Sequence, residues 1–311
     1  MDVSIVIVNW NTKDLLRDCL KSIGENTREV DYEIVVVDNN STDGSAQMVK
    51  DEFEHVLLIS NSENRGFAAA NNQAVKIAKG RYILLLNSDT IVLDQAIEKT
   101  VVFADKHPDT AVTGCRVLNP DGTLQKTCFM FPSILNMFLA GIYLYKLFPK
   151  STFFGRERMT WWDRNDVREV DVVTGCFMLI RREAVEQAGL MDERYFMYGE
   201  ETDWCYRFKK NGWKIMFTPG SQIIHFGGQS SKIVRSDMLV QLRLSILYFM
   251  KKHYRWLSYR VGCLLTLFFF VSRLPVWIVL KIVSVKEREE AASKIEAYSK
   301  GVGRVFVLLF S

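Results

Sequence analysis

Four short apolar, β-branched runs fall within the first 87 positions, and a helical pattern separates most of them. They are VSIVIV (3–8), EIVVVD (33–38), HVLLIS (55–60) and YILLLN (82–87). Runs this continuous, without polar alternation, predict strands buried on both faces. Behind an Asn11-Thr12 N-cap pattern, Leu15, Leu16, Leu20 and Ile23 recur at helical spacing. Ser41-Thr42-Asp43-Gly44 opens a second predicted helix running to about residue 53, and residues 66–79 predict an Ala-rich third. Strands alternating with helices imply an α/β chain with a mostly parallel sheet and right-handed crossovers. Further on, TAVTGCRVL (110–118) is strand-like, Asn119-Pro120-Asp121-Gly122 is a turn, and VDVVTGCFMLIRREAV (170–185) reads as a strand entering a helix.

In an open α/β sheet, ligands gather beyond the carboxyl ends of the strands. The residues at the end of each run are therefore the candidates for chemistry. The first run ends at Asn9, and the second at Asp38-Asn39-Asn40. Asp38 can accept hydrogen bonds from a base or ribose, and it equally fits an ordinary turn. Asn64-Arg65-Gly66 precedes the third helix, where a glycine admits close backbone approach and an arginine neutralises phosphate. The fourth run ends in Asn87-Ser88-Asp89. Asp89 is a candidate ligand for a hard divalent cation, which takes one or two protein carboxylates and completes its shell with phosphate oxygens. The same Asp89-Thr90 pair also fits a cap on a helix beginning near Asp94.

Two further clusters lie downstream. Glu200-Glu201-Thr202-Asp203 is bedded between Tyr195, Phe196 and Tyr198 on one side and Trp204, Tyr206 and Phe208 on the other. Aromatic surroundings desolvate a carboxylate and raise its pKa toward that of a useful base. Glu200 and Asp203, at i and i+3, share a helix face, while Glu201 points elsewhere. Acids at a helix start also serve the dipole. His225-Phe226-Gly227-Gly228 comes after another strand and suits a metal ligand or a phosphate contact.

Composition narrows the class. The chain has 311 residues, of which 48% are hydrophobic, and a formal net charge of +4. Its basic residues are dispersed and never form a long block, which argues against nucleic acid as a partner. The six cysteines show no metal or redox spacing and read as reduced core thiols in a cytosolic setting. No signal peptide is expected, because the N-terminus enters a strand at once. Residues 134–148 are apolar and aromatic and fit core, an acceptor-site wall or a membrane-facing surface. Beyond about residue 235 the character changes: 241–256 is amphipathic, and 261–285 is long enough to span a bilayer but is interrupted by Arg273 and Pro275. An interfacial hairpin, a re-entrant segment, a span and a helix pair packed on the rest of the chain all remain open.

In order, SIVIVNWN, VVVDNNSTDGS, ENRGFAAANN, LLLNSDT, VTGCFMLIRREA, MYGEETDWCYR and IIHFGG resemble the inverting family 2 glycosyltransferases, most closely the bacterial rhamnosyltransferase-like branch. The resemblance covers about residues 3–235. It implies a GT-A-type, Rossmann-like sheet with flanking helices over residues 1–235, then a membrane-associating apolar and amphipathic helical region over 236–311. It implies that Asn9, Asp38, Asn40, Asn64, Arg65, Gly66, Asn87 and Ser88 bind the donor. It also implies that Asp89 and His225 hold Mg²⁺ or Mn²⁺, although Asn87 stands where relatives often carry a further carboxylate. The catalytic set it implies is Glu201, Glu200 and Asp203; the second acid of the family's pair, here Glu201, is the base, and because this chain has Glu-Glu where relatives often have Glu-Asp the choice between Glu200 and Glu201 stays open. The donor implied by the branch is dTDP-rhamnose, with UDP- or GDP-sugars as alternatives. The acceptor would be a saccharide, lipid-linked, as in O-antigen or polysaccharide assembly at the cytoplasmic face of the inner membrane, with peripheral or re-entrant attachment. Trp161, Trp162, Trp204 and Trp213 fit either acceptor stacking or core packing.

Two other classes compete with this one. A catalytically silent nucleotide-sugar-binding or scaffold protein would keep this fold without turnover. A dinucleotide-dependent oxidoreductase requires a glycine-rich turn after the first strand, and this chain carries Asn-Trp-Asn-Thr-Lys there.

Overall fold

A computed structural model describes residues 1–227 and 235–310, with only the backbone of 235 and 236 described. Gly228 of the His225-Phe226-Gly227-Gly228 motif lies outside the described residues. The chain divides into two compact units, Met1–Phe131 with Trp162–Ser230, and Pro132–Trp161 with Ser231–Ser311.

The first unit begins with the predicted alternation: β1 (Val3–Asn9), α1 (Lys13–Asn26), β2 (Tyr32–Asp38), α2 (Ser45–Glu52), β3 (Leu57–Ser60), α3 (Phe67–Ile77) and β4 (Tyr82–Leu86). Next come β5 (Thr90–Val92), α4 (Ala96–Asp105), β6 (Thr110–Leu118), β7 (Leu124–Gln125) and β8 (Cys128–Phe129). Helices α5 (Ile134–Gly141) and α6 (Leu144–Leu147) belong to the second unit. The first unit then resumes with β9 (Arg168–Glu169), β10 (Val172–Val173), β11 (Phe177–Arg181), α7 (Arg182–Ala188), α8 (Glu200–Lys210) and β12 (Lys214–His225).

The main sheet runs β3-β2-β1-β4-β11-β6-β12-β5. β3, β2, β1 and β4 are parallel, and β11 enters antiparallel between β4 and β6. This order explains the continuous apolar runs: β1 and β4 have a strand on either side and helices over the sheet, so every residue of β4 is buried. One sheet face, with Ile5, Ile7, Val36, Leu84 and Leu179, packs on Leu16, Leu20 and Ile23 of α1 and Val101 of α4. α3 packs against β1 and β2, and its buried Ala68, Ala70 and Ala74 keep that approach close. All six cysteines are buried and unpaired. Trp162 and Trp204 are core residues, exposed by 4% and 0%.

Two local expectations change. Thr12 does not cap α1 with its side chain; its hydroxyl is used at the strand edge instead. The segment after Asp89 forms β5 before any helix, and α4 begins only at Ala96.

The second unit is helical. α9 (Arg235–His253), α10 (Trp256–Val271), α11 (Leu274–Val283) and α12 (Arg288–Phe310) are joined by short turns. The apolar stretch is thus two helices, broken at Ser272-Arg273 with Pro275 in the first turn of α11. Arg273 donates through Nη1 to the Phe269 carbonyl at 2.9 Å and through Nη2 to the Gly141 carbonyl. Its guanidinium lies 3.8 Å from the Phe269 ring centroid and 4.7 Å from that of Tyr143. Carbonyls and rings therefore satisfy a charge that would be costly in an apolar helix. The charged segment and the apolar end form one helix, α12, which packs on α10 and α11. Gly301 lets α12 approach closely, since a Cβ there would come 2.8 Å from the Phe270 ring.

Leu84 sits at the centre of the first unit's core and is fully buried. Leu84→Ala should lower unfolding free energy by about 2–5 kcal/mol, read as a shift in the urea midpoint with an unchanged slope.

Candidate active site

The sheet register aligns the polar ends of the strands. Asn9 of β1 is paired with Asp38 of β2, and Asp38 with Ser60 of β3. All of Asn9, Asp38 and Asn39 are buried, so their polar atoms need partners. Asn9 Nδ2 donates to Asp38 Oδ1 and to Ser41 Oγ, both at 3.1 Å. Its Oδ1 accepts from Thr12 Oγ1 at 2.7 Å, and Thr12 in turn meets Ser88 Oγ at 2.8 Å. The Ser41 backbone N–H donates to Asp38 Oδ2 at 3.0 Å. One network thus runs from the end of β2 across β1 to the residue before Asp89.

Asn39 organises the neighbouring loop. Its Nδ2 donates to Asn64 Oδ1 at 2.8 Å, and its Oδ1 accepts from the Arg65 backbone N–H at 3.1 Å. Asn64 Oδ1 also accepts from the Gly66 N–H at 3.0 Å. The Arg65 side chain is left exposed beside these strand ends. Asn40, by contrast, is exposed in a left-handed conformation (φ 67°) and joins no hydrogen bond among the described residues. The sequence points to Asn40 as the donor-binding residue of this pair, and the structure gives the networked position to Asn39.

Asp89 and His225 come together at the far side of the same edge. β12 pairs antiparallel with β5, setting His225 opposite Thr90. His225 Nε2 is 3.2 Å from Asp89 Oδ1 and 3.2 Å from Asn87 Nδ2. The other ring nitrogen, Nδ1, is 2.6 Å from Gln125 Oε1. The Gln125 amide also donates through Nε2 to the His225 carbonyl at 3.2 Å. An Nδ1–H held by an amide oxygen leaves the Nε2 lone pair to accept from Asn87 Nδ2 beside Asp89 Oδ1, and the Nδ1 partner is of the kind that supports a metal-ligating histidine. A separation of 3.2 Å matches two adjacent ligands of one divalent cation. Among the described residues no third Asp, Glu, His or Cys completes a cluster. The pair therefore fits an ion that takes its remaining ligands from phosphate and water. Gln125 carries no sequence signal; its role depends on β7 pairing with β6, beside β12.

The acidic helix start is anchored to the donor-side loop. The Phe67 N–H donates to the Phe196 carbonyl at 2.8 Å. Gly66 has φ 80°, and a Cβ there would lie 2.5 Å from that same carbonyl oxygen, so only glycine fits. Phe67 also packs over Gly175, one residue before Cys176, whose carbonyl accepts from the Asn87 N–H at 3.2 Å. Contacts thus run continuously from the Asn87 strand end to the loop that opens α8.

Within α8 the three acids differ. Asp203 is fully buried and accepts from Arg207 Nε at 2.9 Å. Arg207 also donates to the carbonyls of Ala188, Gly189 and Leu190. These surroundings make Asp203 a strut that fixes α8, whereas the sequence groups it with the catalytic acids. Glu201 is half-buried and accepts from the Gly199 N–H at 3.2 Å. Glu200 is buried, with Oε2 unpartnered among the described residues. Burial raises both glutamate carboxyls above the ordinary range, Glu200 strongly, and the Glu201 charge adds to the shift at Glu200.

The model of the family described as Glycosyl transferase family 2 matches residues 4–189. The chain is 30% identical over 235 residues to the O-antigen biosynthesis protein RfbC of Myxococcus xanthus, covering 74% of this chain and 18% of that protein. It is 24% identical over 266 residues to the N-acetylglucosaminyl-diphospho-decaprenol L-rhamnosyltransferase of Mycobacterium tuberculosis, covering 81% of this chain and 85% of the relative. Among solved structures, the mannosyltransferase PcManGT from Pyrobaculum calidifontis in complex with GDP-Man and Mn²⁺ superposes with a TM-score of 0.54 at 15% identity, over 97% of this chain and 85% of that one. S. aureus TarS 1-349 superposes with a TM-score of 0.52 at 16% identity, over 99% and 83%.

The raised carboxyl of Glu200 has a consequence for stability. The folded chain keeps this proton at pH values where the unfolded chain, with a glutamate pKa of about 4.3, has released it. Its contribution is therefore fully favourable below about 4.3 and declines as pH rises toward the folded value. Glu200→Gln should remove that decline. The variant should therefore gain stability relative to the unaltered chain as pH rises from about 4 to neutral, measured by urea unfolding at both ends.

Proposed function

This chain belongs to glycosyl transferase family 2 and has a GT-A-type fold, and on that footing we propose that it moves a sugar from a nucleotide-sugar donor to a saccharide acceptor with inversion at the anomeric carbon. The observation that carries this reading is the single strand edge on which Asn9, Asp38, Ser88, Asp89 and His225 are linked or adjacent. The donor we propose is dTDP-rhamnose, supported by the relative named as a rhamnosyltransferase, and the acceptor is a lipid-linked saccharide of cell-surface glycan synthesis.

Asp38, held by Asn9 and the Ser41 N–H, keeps an acceptor oxygen for the nucleoside. Asn39 holds the Arg65 backbone N–H and Asn64 that of Gly66, which fixes this loop at the strand ends and leaves the exposed Arg65 guanidinium to meet the donor diphosphate. Asp89 and His225 would hold Mg²⁺ or Mn²⁺, which supplies charge neutralisation for the leaving diphosphate. Glu201 takes the proton from the acceptor hydroxyl as that oxygen attacks the anomeric carbon from the face opposite the diphosphate. A single displacement of this kind inverts the centre. Burial raises the Glu201 carboxyl and so strengthens its carboxylate as a base once ionised. Glu200 and Asp203 shape the helix start: the first by its desolvated neighbouring carboxyl, the second by its bond to Arg207.

Catalysis is assigned to the first unit and membrane contact to the second. By length and composition, the segment Trp256–Val283 is apolar enough to cross a bilayer. α11 buries none of its side chains, and Leu257, Ile282, Val283 and Phe310 are all more than half exposed. The break at Arg273 supports a peripheral or re-entrant mode, and the side proposed is the cytoplasmic face.

Glu201→Gln should lower sugar transfer by about 10²–10⁴-fold while nucleotide binding by calorimetry stays intact; near-normal turnover removes Glu201 from the role. Asp89→Ala should abolish both transfer and the response to added Mn²⁺, and a chelator should silence the unaltered chain. An active, chelator-insensitive variant overturns the metal assignment.

A further inference from the structure

The side chains assigned to sugar transfer are polar, and one large apolar side chain beside them has been given no part in it. Phe196 is exposed by 45%, while its neighbour Tyr195 is exposed by only 1%. Lone apolar side chains on a protein surface are ordinary. Phe196 differs from them in how firmly it is held and in what stands on either side of it.

The residue is pinned from several directions. Tyr195 is buried in the core, and its N–H donates to the Asp192 carbonyl at 3.1 Å. The Phe196 carbonyl accepts from the Phe67 N–H at 2.8 Å. The Phe196 ring also lies against Gly66, where a Cβ would come 2.8 Å from Cδ2. The glycine that makes room for the carbonyl therefore makes room for the ring as well. Tyr198 follows with φ 68°, a backbone conformation that persists only where its surroundings enforce it. The ring is thus fixed by backbone bonds and a glycine contact, with much of its surface left open. An apolar surface fixed in advance loses little freedom when a ligand meets it.

The position of the ring selects the ligand. Gly66 follows Arg65, whose exposed guanidinium is assigned to the donor diphosphate. On the other side, the chain turns at Tyr198 and Gly199 into α8 and reaches Glu201, the assigned base. In a single displacement the anomeric carbon lies between the leaving diphosphate oxygen and the attacking hydroxyl. The pyranose being transferred therefore occupies the space between the groups that Arg65 and Glu201 meet, and Phe196 stands on the segment that joins them. A pyranose carries hydroxyls around its rim and C–H bonds on its faces. Those polarised C–H bonds suit the electron-rich face of a phenyl ring. A few polar anchors beside apolar and aromatic walls are the usual composition of a small-molecule site.

We propose that Phe196 is the platform on which the transferred sugar stacks, so that it sets affinity for the pyranose and leaves affinity for the nucleotide untouched. This rests on the sugar-transfer reading and adds to it a side chain that determines specificity.

Calorimetry of the full chain with Mn²⁺ separates the two parts of the donor. dTDP-rhamnose, UDP-glucose and GDP-mannose are titrated into the unaltered chain, and the one that binds most tightly is compared with its own nucleoside diphosphate. Phe196→Ala should weaken binding of that nucleotide sugar about tenfold and change binding of the nucleoside diphosphate by less than about twofold. Phe196→Leu keeps an apolar side chain against Gly66 without a ring; it should show the same split, and it keeps the test valid if Phe196→Ala fails to fold. Phe196→Tyr retains the ring and should retain the affinity of the unaltered chain. Equal losses for nucleotide sugar and nucleoside diphosphate overturn the proposal, because they mark a disturbed loop. Unchanged nucleotide-sugar affinity in the Ala and Leu variants, or a loss in Phe196→Tyr as large as theirs, also overturns it. If the unaltered chain binds none of the three nucleotide sugars, the transferase reading falls and the platform with it; tight binding that ignores residue 196 sinks the platform alone.

Discussion

A buried primary amide must be satisfied at both its oxygen and its nitrogen, and Asn9 meets that demand where two parallel strands end side by side. Its nitrogen reaches Asp38 and Ser41, and its oxygen reaches the Thr12 hydroxyl that also touches Ser88. These bonds exist only in the observed register of β1 on β2, which sets Asn9 against Asp38. A slip of one residue would turn every side chain of β1 to the other face and would bury Asn9 without partners. The apolar packing of Ile5, Ile7, Val36 and Leu84 selects the same register. Core and site are therefore set by one pairing, and the polar edge inherits its precision from the hydrophobic sheet beneath it.

The acidic end of α8 is held differently, by backbone contact and by strain. Phe196 offers its carbonyl to the Phe67 N–H, and Gly66 leaves room for that approach. Tyr198 and Gly199 then turn with φ of 68° and 91° into the helix. A non-glycine residue in that region carries a conformational cost, and such costs collect at functional positions. A buried glutamate next to a half-buried one adds a second cost, because burial opposes their ionisation. Asp203 and Arg207 offset part of it by tying α8 to the carbonyls of 188–190. Local stability is given up at the helix start and recovered one turn later.

In the second unit, polar groups are again settled before the apolar surface is exposed. Arg273 would be a liability in an uninterrupted apolar helix. The turn at Ser272-Arg273 delivers it to carbonyls and rings instead. That leaves α11 strongly apolar with none of its residues buried, a surface that water alone would not favour.

Much of this is readable from the chain as a string. Continuous β-branched runs announce strands covered on both faces, and a polar residue at the end of each run must then stand at the ligand edge; Asn9, Asp38 and Asp89 stand out that way. His225 is legible for the same reason, as the end of β12. Gln125, Thr12 and Asn39 are not, because a side chain's hydrogen-bond partner is chosen by space. Gln125 meets His225 across 100 positions, and Thr12 meets Ser88 across 76. Nor does spacing along a helix tell an available carboxylate from one held by a neighbour: Glu201 and Asp203 look alike on paper and differ through Arg207. Periodicity and burial are local averages that a sequence carries within itself. Pairing, desolvation and the choice between two equivalent side chains arise only when distant segments meet.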